Sequence, residues 1–355
     1  MNASGPGYLG EEVVSVCNPL TQEDWDDALP RGEDTGAFHS QAWARVLHKA
    51  YGYTPLYLVA DTGVWRRGVL PLMEVRSPIT GARGVSLPFS DACPALAASE
   101  GTFATLCAKA IQLGRERGWR YVEWKGSNAP SADATPYVAY HGHRLDLTLG
   151  ELALDQALSS SARRANRKAE RSGVTVEFSD RTEAMLEYYE LHCRTRRRHG
   201  VPPQPMRFFQ LIQECLIRKG QGEIGLARHE GRLVAGAVFF RFGPVVHFKF
   251  GGADRSRQWL RASNLLLSRA IKRFANLGFK VFCFGRTDLE HEGLRRFKLG
   301  FGATEWPVTY YRMDLRTGHY SVGGCSAGGR AFGVFKWLPL WGGRLIGNMA
   351  YRHLG

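Results

Sequence analysis

An internal repeat constrains this 355-residue chain more than any other feature, because the same local order recurs at an offset of 160. Ala110-Ile111 corresponds to Ala270-Ile271, Gly118 to Gly278, and Trp119-Arg120-Tyr121-Val122 to Phe279-Lys280-Val281-Phe282. Each copy reads as an amphipathic helix closed by glycine and followed by a buried strand. Upstream of the first copy, TPLYLVAD, VWRRGVLPLMEV (reached across a D-T-G turn) and ARGVSLPF read as three successive antiparallel strands. Upstream of the second, EIGLARHEGRLVAGAVFFRFG reads as a hairpin and VVHFKFGG as a third strand. A chance match of helix, glycine and strand is the alternative; the shared order of elements favours duplication. The fold class is therefore α/β (α+β), with two similar halves.

Length agrees with two domains, and 44% hydrophobic content suits a globular chain. The 47 Lys+Arg against 33 Asp+Glu give a formal charge of +14, which reads either as a solvated basic surface or as affinity for an anionic partner. Seven cysteines, odd in number and without a C-x-x-C pair, suggest reduced thiols and a cytoplasmic location. The start MNASGPGYLGEEVVSV has no leader pattern, and no run of about 18 apolar residues is long enough to span a bilayer.

Five segments follow from the composition. Residues 1–37 form an N-terminal segment with a strand over Glu12 to Cys17 and a short helix QEDWDDAL after Thr21. Residues 38–150 form the first half, in which Ser40 caps the helix QAWARVLHKAYG and Trp43, Val46 and Leu47 make its apolar face. A helix over Thr102 to Arg117 and a strand over Trp119 to Lys125 complete it. Residues 151–220 read as a basic helical insert, with helices over Leu152 to Arg171, broken at Ser159-Ser160-Ser161, Glu183 to His199 and Met206 to Lys219. Arg163 or Arg164 falls near Arg167, Lys168 and Arg171 on one flank there, and RTRRRHG ends the next helix where cations suit the dipole. Residues 221–315 form the second half. Residues 316–355 combine a glycine- and serine-rich linker with an aromatic, basic tail that packs back on the domain or rests on an anionic membrane surface.

Chemistry concentrates in VFCFGRTDLEHEGLRRFKLGFG, Val281 to Gly302. Val281 to Phe284 suit a central strand, Gly285 ends it, and Arg286 stands at the strand end, where open α/β sheets collect ligands. Gly293 to Lys298 makes a short helix with Leu294 and Phe297 inward and Lys298 beside them. A surface salt-bridge network is the plain alternative. No G-x-x-x-x-G-K-[ST] loop, H-E-x-x-H or G-x-S-x-G elbow occurs, and the histidines, the His141–His143 pair included, lack metal-ligand spacing. The parts that remain suit acyl transfer to an amine, which needs a group to orient or deprotonate the amine and a cation where the oxyanion develops. In that scheme Lys298 stabilises the oxyanion or leaving group, Arg286 holds a phosphate or carboxylate, and Asp91 orients or deprotonates the amine. Arg164, Arg167 and Lys168 bind an anionic substrate, and Trp43 is counted with them as a substrate contact.

The succession FHSQAWARVLHKAYGYTP, GVLPLMEV, GVSLPFSDACPAL, SARRANRKAERSGVTVEF, LVAGAVFF and FGRTDLEHEGLRRFKLGFG resembles the FemAB, or Fem ligase, group of double-GNAT acyltransferases over roughly Phe38 to Leu315. The FGR…GL..FK..FG block is the most specific part. The resemblance implies two GNAT-like domains with a helical insertion, and transfer of an aminoacyl group from aminoacyl-tRNA, or an acyl group from acyl-CoA, to a small-molecule or lipid-linked amine of a peptidoglycan or exopolysaccharide precursor. It implies no permanently bound cofactor and no metal. The GNAT pyrophosphate spacing [QR]-x-x-G-x-[GA] falls on Arg257 to Ala262, with Leu260 in place of glycine; Arg257, Arg261 and Ala262 are the donor-binding candidates. The rival reading is a non-catalytic binder of nucleic acid or another anionic polymer. Arg163 to Arg171 contains no aromatic residue, which weighs against RNA.

Overall fold

The computed structural model describes residues 13–61, 66–126, 128–323 and 333–355. Strand β1 (Val13–Cys17) precedes helix α1 (Gln41–Tyr51), followed by strands β2 (Thr54–Pro55), β3 (Tyr57–Asp61), β4 (Arg66–Leu70), β5 (Met73–Ser77), β6 (Gly81–Val85) and β7 (Leu96–Ala97). Helix α2 (Glu100–Glu116), strands β8 (Tyr121–Lys125) and β9 (Val138–Asp146), and helices α3 (Glu151–Ala157) and α4 (Ser160–Arg171) come next. Strand β10 (Thr175–Ser179) and helices α5 (Thr182–Arg198) and α6 (Met206–Cys215) lead to β11 (Gly222–His229), β12 (Arg232–Phe242) and β13 (Val245–Ala253). The chain ends with α7 (Ala262–Asn276), β14 (Val281–Asp288), α8 (Glu292–Leu299), β15 (Thr304–Asp314) and α9 (Leu340–Ala350).

Local chemistry explains the repeat. Gly118 and Gly278 both take the left-handed conformation (φ 68° and 83°) after α2 and α7. The following N–H reaches back each time, Trp119 to the Gly114 carbonyl (2.8 Å) and Phe279 to that of Phe274 (3.1 Å). A glycine in this conformation ends the helix and turns the chain into the next strand, so β8 and β14 leave their helices in the same way. The Ser40 hydroxyl accepts the Trp43 N–H at the start of α1, as its sequence implies.

An eleven-stranded sheet runs in the order β10-β11-β12-β13-β14-β9-β15-β8-β6-β5-β2, and β1-β3-β4-β7 form a second sheet. The two parallel pairs, β13 with β14 and β6 with β8, lie symmetrically about the centre. The last strand of each half crosses over: β9 of the first half pairs with β14, and β15 of the second pairs with β8, while β9 and β15 pair with each other. This exchange joins the halves by antiparallel ladders. It also places the ends of β8 and β14 on either side of the β9–β15 pair.

Several expectations change. QEDWDDAL forms turns rather than a helix, because Trp25 is drawn inward and donates its indole N–H to the His39 carbonyl (3.0 Å). VWRRGVLPLMEV divides at Pro71, which has no N–H for a ladder, so β4 pairs with β3 in one sheet and β5 with β6 in the other. The stretch 151–220 is not wholly helical: β10 within it pairs with β11 and extends the large sheet, α5 packs on the second half, and α6 packs on α1 of the first. β14 continues through Gly285 to Asp288, with the glycine (φ 70°) inside a register shift between Cys283 and Arg286. Glu12 and most of the expected linker lie outside the described residues. Its first residues are packed, with Tyr320 bridging to Met313 and receiving the Ser131 hydroxyl (2.9 Å).

An aromatic core joins both halves, with Phe38, Trp43, Tyr53 and Tyr57 from the first, Phe240 from the second and Phe208 and Phe209 from α6 between them. Glu74 on β5 is a buried carboxylate that ties sheet to helix. It accepts Arg117 (2.7 and 2.8 Å), Arg76 (2.9 Å) and the Trp119 indole (2.7 Å). Burial pushes its pKa up, but these donors outweigh burial and hold it at about 2 against an ordinary 4.5. A depressed carboxylate contributes stability above its unfolded pKa, and that contribution is lost as pH falls towards the folded one. Glu74→Gln should therefore cost roughly 2 kcal/mol at pH 7 by denaturant unfolding and should flatten the loss of wild-type stability between about pH 4.5 and pH 2. Parallel acid limbs in the two proteins would refute this account.

Candidate active site

β13 and β14 pair only from Val245↔Val281 to His247↔Cys283, although the strands run on to Ala253 and Asp288. Beyond His247 they diverge into a fork. β13 is bulged there: Val238 of β12 faces Phe250 and Phe239 faces Phe248, which leaves Lys249 as the extra residue. A bulge re-aims its side chain, and here it sends Lys249 into the fork. A cleft of about 490 Å³, its open mouth included, borders the fork and is lined in part by Asp91, Arg144, His247, Cys283, Arg286 and Trp306.

Asp91 arrives from the other half, on the segment after β6. Its Oδ2 lies 3.2 Å from Lys249 Nζ, and its backbone carbonyl accepts the Tyr310 hydroxyl (2.6 Å). A Cβ on Gly285 would stand 2.8 Å from that same Oδ2, so only glycine permits the approach. Burial pushes the Asp91 pKa up, but Lys249, Arg286 and Lys298 outweigh it, and the carboxyl lies below its ordinary value. Burial lowers the Lys249 pKa, and Asp91 opposes the fall.

The three residues expected to act chemically, Asp91, Arg286 and Lys298, thus meet in one electrostatic cluster. Arg286 lines the cleft, with its guanidinium over the rings of Tyr140 (4.1 Å) and Tyr310 (5.1 Å) and Nη1 donating to the Tyr310 hydroxyl (2.6 Å). Lys298 does not reach the cleft. Its buried ammonium donates to the carbonyls of Gly285 (3.2 Å) and Arg286 (2.9 Å), and burial brings its pKa down to about 8. It braces the bulged backbone that carries Arg286.

The equivalent fork of the first half is filled. β6 and β8 pair only at Gly84↔Val122 and Val85↔Glu123, and the chain then folds back, with the Ser86 N–H on the Glu123 carbonyl (2.8 Å) and the Cys93 N–H on that of Lys125 (2.9 Å). Leu87 and Phe89 take positive φ (28° and 61°) within this plug, a strained backbone for residues with a Cβ. The helices after the two forks differ as well. α2 is capped by the Ser99 side chain and has Glu100 in its first turn, whereas α7 has no side-chain cap and no acid there. An uncapped helix start presents free N–H groups to an anion, and an acidic first turn repels one.

Basic residues surround the start of α7. Arg261 precedes it in the left-handed conformation (φ 58°), after a 3₁₀ segment over Arg255–Leu260. Leu260, in the position of the motif's glycine, is fully buried and so does not stand on the outer surface of the loop. Arg257 lies against His229 Nδ1 (3.1 Å) and Glu230 (3.7 Å), and Ala262 is buried as the first residue of α7. α4 lies beside α7, with the Asn166 amide on the Ser268 hydroxyl (2.7 Å) and Lys168 Nζ 5.9 Å from the Trp259 ring. Exposed Arg164 and Arg167 therefore stand on the side of the molecule that holds Arg257 and Arg261.

Trp43 belongs elsewhere. It is fully buried among Phe38, Phe208 and Phe240, where α1 packs on α6, and no substrate can touch it. Sequence reasoning missed Lys249, His247, Arg144 and Tyr310. His247 is kept neutral by burial, which lowers its pKa to about 3, and its Nε2 has no hydrogen-bond partner. Arg144 covers the Trp306 ring (4.6 Å) and pairs with Asp34 (3.1 Å). The signal was the H-F-K-F run, whose polar residues interrupt an otherwise apolar strand. Among the described residues no group of His, Cys, Asp and Glu side chains could hold a metal ion.

Residues 157–306 match the family model of the acetyltransferase (GNAT) domain. No curated protein matches the chain by sequence. Among solved structures the chain is similar to FemX, with a TM-score of 0.62 and 14% identity over 84% of this chain and 96% of that one. It is also similar to a tandem GNAT protein from the clavulanic acid biosynthesis pathway (TM-score 0.54, 12% identity, 86% and 99% covered). A third similar structure is the C-terminal domain of a putative lysylphosphatidylglycerol synthetase from Agrobacterium fabrum (TM-score 0.52, 14% identity, 76% and 86% covered). Residues 157–306 thus match a GNAT domain, and the whole chain, with its duplicated halves and exchanged central strands, has the fold of FemX and of that tandem GNAT protein.

Proposed function

We propose that the chain transfers an acyl or aminoacyl group from a phosphate-bearing donor, acyl-CoA or aminoacyl-tRNA, to an amine of a cell-envelope precursor related to peptidoglycan or exopolysaccharide. The observation that carries this reading is the inequality of the halves. One fork is plugged and its helix start is capped and acidic; the other is open, uncapped and flanked by cations. GNAT domains use acyl-CoA as co-substrate, and the N-terminus of α7 with Arg261, Arg164, Arg167 and Lys168 suits the phosphates of such a donor. The ladder between β13 and β14 stops at the fork, so a donor carbonyl entering there meets strand N–H groups that can take up its developing charge. Asp91, held ionised by three cations, is a weak base and suits orienting the attacking amine; Arg286 faces an acidic group of either substrate. Lys298 is a positioning residue, acting through the Gly285 and Arg286 carbonyls.

Donor binding is tested by Arg164→Ala combined with Arg167→Ala. Donor KM should rise roughly tenfold with kcat nearly unchanged, since positioning charges act on binding. Mass spectrometry of co-purified molecules distinguishes a pantetheine species from tRNA. The rival reading, a non-catalytic anionic-polymer binder, would replace this one if tRNA and a generic duplex bound equally, with a steep salt dependence, and no amine were acylated.

The chemical roles are tested at Asp91 and Lys298. Asp91→Asn should lower kcat by roughly 10²-fold, and normal turnover would remove it from the reaction. Lys298→Met should lower kcat by about tenfold with KM unchanged. The folded lysine loses its proton near pH 8, whereas an unfolded one keeps it to about 10.5. Where the unfolded state binds more protons, stability rises with pH, so wild type should gain on Lys298→Met across that window. A constant difference in Tm would show that Lys298 is not a buried cation.

A further inference from the structure

The tail contains a surface that acyl transfer does not use. α9 packs through a glycine stripe: a Cβ on Gly347 would fall 2.0 Å from the Pro203 carbonyl oxygen, and Gly343 faces the same proline. Tyr351 closes the contact, accepting Arg196 (2.8 Å) and donating to the Pro202 carbonyl (3.0 Å). The opposite stripe, one residue per turn, is bare. Trp341 is 72% exposed, Leu345 55% and Met349 66%, and Trp337, in the bend that precedes α9, is 90% exposed.

The segment that carries this ridge has charge of one sign. Residues 333–355 contain Lys336, Arg344 and Arg352 and no aspartate or glutamate. Lys336 and Arg352 are exposed at the two ends of the ridge. α5, on which α9 packs, ends in Arg194, Arg196, Arg197 and Arg198, and its Glu190 is paired by Arg344 (2.6 Å). We propose that the Trp337–Trp341–Leu345–Met349 ridge is a docking surface for an anionic lipid bilayer, into which it inserts shallowly and parallel to the membrane. Indole rings with aliphatic neighbours suit the boundary between headgroups and acyl chains, and flanking cations suit anionic headgroups. A nucleic acid would place its phosphates on the centre of the surface, and that centre is apolar. Among the described residues no helix is long and apolar enough to cross a membrane, so the contact is peripheral.

The test is flotation of the full chain with phosphatidylcholine vesicles, with and without phosphatidylglycerol, comparing wild type with Trp337→Ser/Trp341→Ser. Both indoles are mostly exposed, so the variant keeps its packing and its acylation of a soluble amine. Wild type should partition to the anionic vesicles, and the variant should lose roughly tenfold in partition coefficient. Equal binding of the two proteins, or equal binding of wild type to neutral and anionic vesicles, would overturn the proposal. So would a wild-type dimer in sedimentation that the substitutions dissociate, because the ridge would then be an interface between copies. None of these outcomes touches acyl transfer, which the soluble assay reads separately.

Discussion

A single carboxylate from the first half, set among cations of the second, is the interaction on which this site depends. Asp91 reaches Lys249 on β13 at 3.2 Å and holds the β9–β15 centre through the Tyr310 hydroxyl. Its segment must leave β6 early, fold back across the end of β8 and accept strained backbone at Leu87 and Phe89. Strain of this kind persists only where the surroundings fix it, and here they do so through the Cys93–Lys125 bridge and a fully buried Leu87. The plug that fills one fork is the arm that equips the other.

Duplication makes that division of labour possible. A parallel pair of strands that diverges leaves ladder groups without partners, and these must be met by protein or by ligand. In the first half the chain itself meets them, and Glu123 is held between Lys125 and Arg312 where a ligand would stand. In the second half they face a cleft. Because β9 and β15 each cross to the opposite half, neither fork can shift without disturbing ladders that belong to the other.

Much of this was legible in the sequence because the repeat carries its own physics: the glycines that end α2 and α7 must be glycines, and the strands after them must be buried. The sequence also set Asp91 after the strand of the first half, Arg286 at the end of the apolar run of β14 and Lys298 on the helix after it. The aim of each side chain was not legible. Lys298 follows an apolar face and could point either way from α8; the bulge at Gly285 offers it two carbonyls, and it turns inward. Lys249 was hidden because a bulge depends on pairing with β12, which strand periodicity alone does not show. Trp43 was misplaced for the opposite reason: an apolar helix face says that a residue is covered without saying by what, and α6 covers it from more than 150 residues away. The segment around β10 looked helical because one five-residue edge strand is a weak signal between long helices.

The balance of charge in the fork says what is missing from it. Lys249, Arg286 and Lys298 stand around one ionised carboxylate, so the site carries more positive than negative charge in a partly dry environment. Burying cations without full compensation costs stability, and the lowered pKa values of Lys249 and Lys298 record that cost. A catalyst for attack on a carbonyl makes use of such a surplus, because it is the transition state that brings the absent negative charge. Asp91 keeps the cations in place before the reaction without cancelling them, and the bulges at Lys249 and Gly285 fix the directions from which they act. Burial lowers the pKa of Lys125 at the filled fork as well, to about 8, but there Glu123 lies between Lys125 and Arg312 and the chain leaves no open fork for a reacting group.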